Sequence, residues 1–270
     1  MTLETTLETM LQANLSRIAH PSFNTMFTGF SRRWQCQLFV KVFAADRFGK
    51  FSTERTVNEQ LNNRVLMSSQ LATGEWVLVM HDLLMTPLSD VVTPELAQQM
   101  GSVLAQFHRT VHLPAKTNQP SMVMTKIDSL RQTAAYPQLL KLQNLYESRL
   151  PVIETELHQV KPVVLHGDVG RRNYQFVDGS LVLIDFERAH LGVPQVDFQK
   201  LFYQDFAGDQ SLQHAFLTGY GVLPALSQLA SSWLLFQTAV GIFSYVQRLP
   251  DPEFERVAQR MLQTVTDQIL

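Results

Sequence analysis

Two neighbouring segments carry most of the information in this chain of 270 residues: His166-Gly167-Asp168 and Leu181-Val182-Leu183-Ile184-Asp185-Phe186-Glu187, with Asn173 between them. An apolar run precedes each segment's aspartate, and Asp178-Gly179 between the two runs is typical of a tight hairpin turn. The two runs are Val163–Leu165 and Leu181–Ile184. We expect them to form a short hairpin that brings the side chains of Asp168, Asn173 and Asp185 to one rim.

These three side chains offer the oxygen atoms that phosphoryl transfer needs. Asn173 and Asp185 are hard oxygen ligands of the kind that Mg²⁺ accepts, with phosphates and water completing its coordination. Asp168 would then orient an acceptor hydroxyl and take its proton as the catalytic base, since the protein mainly positions groups in this reaction. The competing interpretation of Asp168 and Asn173 is that of turn residues that hydrogen-bond the backbone.

Lys41 lies inside an apolar, strand-like run, Leu38–Phe43. A lysine in such a run needs an anionic partner or a route to water, and a nucleotide triphosphate would supply the partner. A glutamate on the following helix could hold the ammonium group in place. Glu54 is the first choice because it shares its helix face with apolar residues, and Glu59 is the alternative. A lysine on an edge strand that points at solvent is the other interpretation.

The motifs described above resemble those of the aminoglycoside phosphotransferase and choline kinase family, which are small-molecule kinases with a protein-kinase-like fold. The resemblance spans roughly Val40 to Phe202 and includes further segments: Phe39–Val42, Leu104–His108, Gly192–Pro194 and Asp197-Phe198. It implies ATP as the phosphoryl donor, Mg²⁺, and a hydroxylated small molecule as the acceptor. Such acceptors include aminoglycosides, choline-like amino alcohols, sugars and vitamins.

The resemblance also implies where the nucleotide binds. Gly29, near the turn between the first two predicted strands, would let backbone amides approach a phosphate. Met80 would begin the linker that continues to Leu83, whose backbone would pair with adenine, while Val40 and Met80 line the ring pocket. Lys41 would bind the triphosphate.

Other polar residues of the motif region have less certain roles. Arg171 and Arg172 could reach the γ-phosphate or could hold the loop in place, and we assign Arg172 to the nucleotide site. Glu187 could add to the metal shell or hold Arg188, with a solvated loop position as the other interpretation. We expect Asp197 to position the catalytic loop from the start of a helix.

Strand-like and helical patterns occupy different parts of the chain, which predicts an α+β protein with two lobes. The first lobe, residues 1–82, would bind the nucleotide and would hold a small antiparallel sheet with one helix. A leading helix over residues 2–18 would precede that sheet. The second lobe, residues 83–270, would be mainly helical and would carry the catalytic loop and the acceptor site.

The composition excludes several classes of protein. The chain has 22 Lys and Arg against 24 Asp and Glu, with no basic run of the kind that nucleic-acid binding needs. The single Cys36 excludes an internal disulfide framework. We expect no signal peptide, and Trp233–Val246 is too short for a bilayer span, so it predicts a buried helix. A cytoplasmic protein with neither a nucleic-acid nor a membrane partner is expected.

Two alternatives to an ATP-dependent kinase stay open. One is a catalytically silent relative that binds a nucleotide and acts through a partner, although the complete set of Lys41, Asp168, Asn173 and Asp185 argues against it. The other is a hydrolase that uses the same carboxylates with water as the acceptor. The sequence also leaves open the identity of the acceptor, the choice between ATP and GTP, and the oligomeric state.

Overall fold

The computed structural model describes residues 2–19, 23–61, 64–114 and 123–269. The chain forms two compact units, and both are discontinuous in sequence. Unit 1 comprises Met1–Pro87, Thr110–His112 and Gln175–Ala189, and unit 2 comprises Leu88–Arg109, Leu113–Tyr174 and His190–Leu270. The predicted division after residue 82 differs from these units, because two later segments complete unit 1.

Unit 1 is built on a five-stranded antiparallel sheet with the strand order β1-β2-β3-β5-β4. Its elements are α1 (Leu3–Leu11), β1 (Ala13–Arg17), β2 (Thr25–Ser31), β3 (Cys36–Phe43), α2 (Phe48–Leu61), β4 (Val65–Gln70) and β5 (Trp76–His81). A short 3₁₀ turn, Ala45–Arg47, precedes α2. The predicted small sheet with one helix packed against it is confirmed.

The helix predicted over residues 2–18 is wrong in its second half. The helix α1 ends at Leu11, where Gln12 adopts a left-handed conformation with φ 47°, and β1 follows at once. Ala13 and Leu15 are both buried while Asn14 between them is exposed, which is the alternation of a strand. Leu15 also fits the helical spacing from Leu11, so the apolar pattern alone could not separate the two structures.

The two faces of the sheet hold different cores, because successive side chains of a strand point to opposite faces. Leu38, Val40 and Val42 of β3 pack with α1 on one face. Phe43 of β3 packs with Leu78 and Met80 of β5 and with Phe51 of α2 on the other face. Val40 and Met80 therefore lie on opposite faces, and the prediction that both line one adenine pocket is wrong.

Gly29 lies inside β2 and not in the turn where we predicted it. It is paired with Leu15 of β1 on one side and with Leu38 of β3 on the other, while the turn occupies residues 32–35. A Cβ atom at Gly29 would lie 1.9 Å from the carbonyl oxygen of Asn14. The close approach of β1 thus accounts for the glycine, and its assignment to a phosphate-binding turn is corrected.

The hairpin around Asp178-Gly179 forms, but with a different first strand. It joins β8 (Tyr174–Val177) to β9 (Ser180–Leu183), and β6 (Thr86–Pro87) adds to β8. Asp178 and Gly179 have φ values of 47° and 76°, as a two-residue hairpin turn of type I′ requires. The predicted partner of β9, β7 (Val163–Leu165), instead pairs with β10 (His190–Gly192), because the loop 166–173 separates β7 from the turn.

Unit 2 is mainly helical, as predicted. Its helices are α3 (Pro94–Thr110), α4 (Val123–Ser129), α5 (Tyr136–Glu147), α6 (Leu150–Gln159), α7 (Gln195–Gln204), α8 (Gln210–Tyr220), α9 (Gln228–Val246) and α10 (Pro252–Ile269). Its largest core cluster forms around α9, with side chains of α5 and α10 packed against it. Within the described ranges, α9 is the one helix long and apolar enough to cross a membrane by length and composition. Most of it is buried inside the protein, which agrees with the predicted buried helix.

We expect Gly29→Ala to lower the free energy of unfolding by about 2 kcal/mol or more, because the added methyl group overlaps a backbone oxygen that cannot move away without breaking the sheet. The matched control is Gly49→Ala in α2, where an added Cβ meets no atom within 4 Å. This control should stabilise by about 0.5–1 kcal/mol, since alanine favours a helix. Urea denaturation of both variants gives the comparison, and equal stabilities would contradict the explanation of Gly29.

Candidate functional site

The first charged cluster lies in unit 1 around Lys41, which is buried on β3. Its Nζ atom lies 3.5 Å from Glu54 Oε2, 2.5 Å from Asp185 Oδ1 and 3.3 Å from Glu187 Oε2. Burial lowers the pKa of Lys41, whereas attraction to Glu54, Asp185 and Glu187 raises it. The attraction is the larger effect in sum, so the pKa of Lys41 lies above its ordinary value. The group is therefore a permanent cation that faces three carboxylates.

Of the two glutamates proposed as the lysine partner, the structure places Glu54 beside Lys41. Glu54 is buried on the inner face of α2, next to Phe51 and Val57. Burial raises the pKa of Glu54, and the charge of Lys41 lowers it, with a net increase. Glu59 lies on the exposed side and pairs with Arg55 at 3.5 Å. The role of Glu54 at a nucleotide stays a prediction.

Asp185 lies two residues after the end of β9 and has a left-handed backbone conformation with φ 68°. Aspartate tolerates this conformation better than most residues do, and its side chain is 43% exposed. One carboxylate oxygen accepts a hydrogen bond from Lys41. The exposed fraction shows that this carboxylate can also be reached from solvent.

Glu187 belongs to the same cluster, and the interpretation as a solvated loop residue is wrong. It accepts hydrogen bonds from Arg47 Nη2 at 2.9 Å and from Asn24 Nδ2 at 2.5 Å, in addition to its contact with Lys41. Arg47 also donates to Asn24 Oδ1 at 2.7 Å. The groups around Glu187 are hydrogen-bond donors, so its observed role is to connect Lys41 to Arg47.

The predicted linker starts later than expected. β5 continues through His81, whose amide donates to Arg64 O, and the amide of Asp82 donates to Gln37 O. The amides of His81 and Asp82 are therefore already engaged, and pairing of the linker backbone with a base stays a prediction. The side chain of Met80 is fully buried against the core of α2 and presents no surface to a ligand.

The second cluster lies in unit 2 and begins with the buried carboxylate of Asp197 on α7. Its oxygens accept the backbone amides of His166 at 2.6 Å and Gly167 at 2.8 Å. One of them also lies 3.0 Å from His108 Nε2, and the other ring nitrogen of His108 lies 2.7 Å from the Tyr220 hydroxyl. The predicted positioning role of Asp197 is confirmed. Gly167 has φ 78°, so its lack of a side chain is a backbone requirement.

Asp168 follows in the same loop, with both carboxylate oxygens bound by cations. Lys200 Nζ binds Oδ1, and Arg172 Nη2 donates to Oδ2 at 2.9 Å. Lys200 was not predicted as a site residue. Lys200 lies three residues after Asp197, and residues with that spacing share one face of a helix. Because Asp197 was expected to face the loop, this spacing could have identified Lys200 as a second contact to the loop.

The two loop arginines have different contacts. Arg171 donates to Ser89 O at 2.7 Å and to Asp90 Oδ1 at 2.9 Å, and its amide donates to Asp205 Oδ2 at 3.2 Å. Arg171 therefore holds the loop in place. Arg172 contacts Asp168 with a side chain that is 72% exposed. Its predicted contact with the nucleotide stays a prediction.

Asn173 ends the short 3₁₀ turn Arg171–Asn173 and is buried. Its Nδ2 atom donates to the carbonyl of Asp168 at 2.8 Å, which fixes the orientation of the amide and directs its oxygen to the opposite side. An amide oxygen and the carboxylate of Asp185 are the hard donors that suit Mg²⁺. No group of three or more His, Cys, Asp or Glu side chains among the described residues could hold a metal. The assignment of Asn173 and Asp185 as metal ligands stays a prediction, and such an ion would take its other ligands from phosphates and water.

We expect Asp197→Asn to lower the free energy of unfolding by about 3 kcal/mol, because it removes the charge from a buried, fully bonded carboxylate. Burial raises the pKa of Asp197, but the hydrogen bond and charge of His108 and the contacts of His166 lower it below the ordinary value. A depressed pKa stabilises the folded protein above the unfolded value of about 4, and this contribution is lost as the pH falls further.

Urea denaturation between pH 7 and pH 3 tests this expectation. The wild type should lose stability below about pH 4 more steeply than Asp197→Asn does. Asp128→Asn, at an exposed carboxylate that pairs with Arg131, is the control and should follow the wild type. Parallel curves for the wild type and Asp197→Asn would contradict the role given to the buried carboxylate.

Comparisons with known proteins identify a sequence family and similar solved structures. The sequence matches the profile of the phosphotransferase enzyme family over residues 54–231, which is more than half of the chain. No curated protein sequence matches the chain significantly.

Solved structures show the same fold at low sequence identity. Choline kinase LicA from Streptococcus pneumoniae is 16% identical with a TM-score of 0.69, and the match covers 98% of each chain. Ethanolamine kinase from Plasmodium vivax is 13% identical with a TM-score of 0.64, covering 98% of this chain and 84% of that one. A thermostable mutant of aminoglycoside phosphotransferase APH(4)-Ia, in a ternary complex with AMP-PNP and hygromycin B, is 11% identical with a TM-score of 0.66 and 99% coverage of both chains.

The match over residues 54–231 includes Glu54, the loop 166–173 and Asp185. The solved structures confirm the fold that the motifs around Asp168 predicted. This chain therefore belongs to the phosphotransferase enzyme family and is a phosphotransferase with a protein-kinase-like fold.

Proposed function

We propose that this protein is an ATP-dependent kinase that transfers the γ-phosphoryl group to a hydroxyl of a small molecule. The observation that carries the proposal is the buried ammonium of Lys41, held by Glu54 and by the partly exposed Asp185. A buried cation with a fixed position suits a triphosphate, whose charge it would offset. The nucleotide analogue in the APH(4)-Ia complex supports an adenine nucleotide as the donor.

In the proposed reaction Asp168 is the catalytic base. Its carboxylate orients the acceptor hydroxyl, whose oxygen forms a bond to the γ-phosphorus while the bond from that phosphorus to the bridging oxygen of ADP breaks. The hydroxyl proton passes to Asp168 and then to solvent. A positioned base of this kind contributes about 10²–10⁴-fold to the rate.

Asn173 and Asp185 are the proposed ligands of Mg²⁺. When bound, Mg²⁺ would neutralise part of the negative charge that develops on the phosphate oxygens. Asn173 suits the role because its amide nitrogen is already held by the Asp168 carbonyl. Asp185 suits it because its carboxylate is partly exposed beside Lys41.

The remaining nucleotide contacts are assigned as follows. Arg172 is exposed enough to move from Asp168 to a phosphate without disturbing a packed core. Leu83 would supply the amide that pairs with the base. Phe39, which is paired with Met80 across the sheet and lies on the same face as Lys41, replaces Val40 as the side chain that lines the ring pocket.

The acceptor is proposed to be a small hydroxylated molecule. The named activities of the solved structures, on choline and ethanolamine, and the bound hygromycin B define the chemistry to test first. We infer a cytoplasmic enzyme without a nucleic-acid or membrane partner. A nucleotide-binding protein without catalysis and a hydrolase are the alternatives that the following experiment separates.

The experiment measures ADP release from ATP with Mg²⁺ in the presence of single acceptors: choline, ethanolamine, hygromycin B, a sugar panel and a vitamin panel. Stimulation by one acceptor, with phosphate recovered on that acceptor, supports the proposal. ADP release without any acceptor indicates a hydrolase, and nucleotide binding without ADP release indicates a silent relative. Asp168→Asn should lower the acceptor-dependent rate by about 100-fold or more, and a loss of less than tenfold would contradict its role as the base.

We expect Glu54→Gln to raise the KM for ATP and to lower kcat/KM by about tenfold to a hundredfold, because Lys41 loses a buried carboxylate partner. Glu59→Gln is the matched control on the same helix and should stay within about twofold of the wild type, since its pair with Arg55 is exposed. Steady-state kinetics with varied ATP measures both variants. Equal effects of the two substitutions would show that Glu54 does not position Lys41 for the nucleotide.

A further inference from the structure

The carboxylate of Asp168 is held from two sides by different kinds of cation. Lys200 binds Oδ1 and Arg172 binds Oδ2, and the Asp168 side chain is only 10% exposed. Each carboxylate oxygen keeps a further lone pair, but a cation on each of them lowers the basicity of Asp168 and occupies space that an acceptor hydroxyl would use. Displacement of one cation would open one oxygen to the acceptor, and the two cations differ in how firmly they are held.

Lys200 is the firmly held cation. Its side chain is 17% exposed and runs along the catalytic loop, where a Cβ atom added to Gly170 would lie 3.6 Å from its Cε and Nζ atoms. Asp205, at the end of α7, interacts electrostatically with Lys200 and with both loop arginines. Asp205 also accepts the amide of Arg171, so Lys200 and Asp205 both contact the loop from the same helix. The helix α7 further holds the loop through Asp197.

Arg172 is the cation that can leave. Its side chain is 72% exposed, and the bond to Asp168 spans four residues of the same loop. The arginine end of this ion pair is open to solvent, so water and an arriving phosphate can compete with Asp168 for the guanidinium. Arg171 cannot exchange in the same way, because it is bonded to Ser89 and Asp90.

We propose that Lys200 is a positioning residue, which fixes Oδ1 of Asp168 so that Oδ2 faces the acceptor hydroxyl once Arg172 has moved to the phosphate. This inference rests on the proposed function and adds to it a residue outside the catalytic loop. The proton of the acceptor goes to Oδ2 of Asp168, the new bond forms from the acceptor oxygen to the γ-phosphorus, and ADP leaves.

Lys200 could in principle position the base or bind a phosphate of ATP, and the two roles affect different kinetic constants. A positioning residue for the base acts on kcat, because it matters only when the proton is taken. A phosphate ligand would act mainly on the KM for ATP. Removing one charge-assisted hydrogen bond corresponds to a rate loss of about tenfold to a hundredfold.

The test compares Lys200→Met, Lys200→Arg and the control Lys141→Met, at an exposed lysine of α5. Turnover is measured with MgATP and the acceptor of highest rate in the panel above. We expect kcat of Lys200→Met to fall about tenfold to a hundredfold with the KM for ATP within about twofold. Lys200→Arg should recover most of the loss, because it restores a cation at Oδ1. A raised KM for ATP with unchanged kcat would overturn the proposal.

Two further measurements complete the test. In the Asp168→Asn background, Lys200→Met should cause no additional loss, since residues that act as a unit are not additive; a full further loss would contradict the proposal. Crystal structures of the wild type and of Lys200→Met should show the Asp168 carboxylate turned away while the loop amides stay on Asp197. An unmoved carboxylate would overturn the inference. If Lys200→Met does not fold, Lys200→Gln takes its place.

The crystallographic comparison needs no turnover, so it decides the inference even for an enzyme that phosphorylates none of the acceptors. Absence of phosphoryl transfer by the wild type would contradict the proposed function, whereas a fixed Asp168 carboxylate in the variant would contradict only the role of Lys200.

Discussion

A charge inside an apolar sheet must be compensated, and this requirement organises unit 1. Lys41 lies on the strand face that carries Phe43, Leu78 and Met80, where an unpaired ammonium would cost several kcal/mol. Its compensation comes from Glu54 on α2 and from Asp185 and Glu187 beyond β9. Segments more than a hundred residues apart thus meet at one nitrogen atom. Each of these carboxylates is in turn oriented by the lysine, so the cluster is fixed before any ligand arrives.

The same rule applies to Asp197 in unit 2, with the signs reversed. A buried carboxylate is stable there because two loop amides and His108 bond to it. The bonds hold the backbone of His166 and Gly167 in the shape that presents Asp168. The shape of the loop therefore depends on Asp197, which lies on a different element. In both clusters a buried charged group is compensated by charged or hydrogen-bonding partners from distant parts of the chain.

Local patterns in the sequence predicted a large part of this structure. The Asp178-Gly179 turn, the strand that carries Lys41, the mainly helical second part and the positioning role of Asp197 follow from short-range spacing and turn chemistry. The choice between Glu54 and Glu59 needed the inner face of α2, which the structure supplies. One wrong prediction arose at Leu15, where the apolar spacing fits both a helix and a strand. Others arose for Gly29 and for the opposite faces of Val40 and Met80, because the pairing of neighbouring strands determines the surroundings of these residues. Lys200, Arg47 and Asn24 were missed because their partners lie 23 to 163 residues away in sequence.

The bonds of His108 to Asp197 and Tyr220 affect the order in which the protein folds. These residues belong to α3, α7 and α8, and their bonds join positions 89 and 112 residues apart. Contacts between distant parts of a chain form slowly, because a long loop must first be closed. The loop that carries Asp168 thus acquires its shape only after three helices have met. A chain in which these helices have not yet met would lack the bonds that hold the loop in its folded shape.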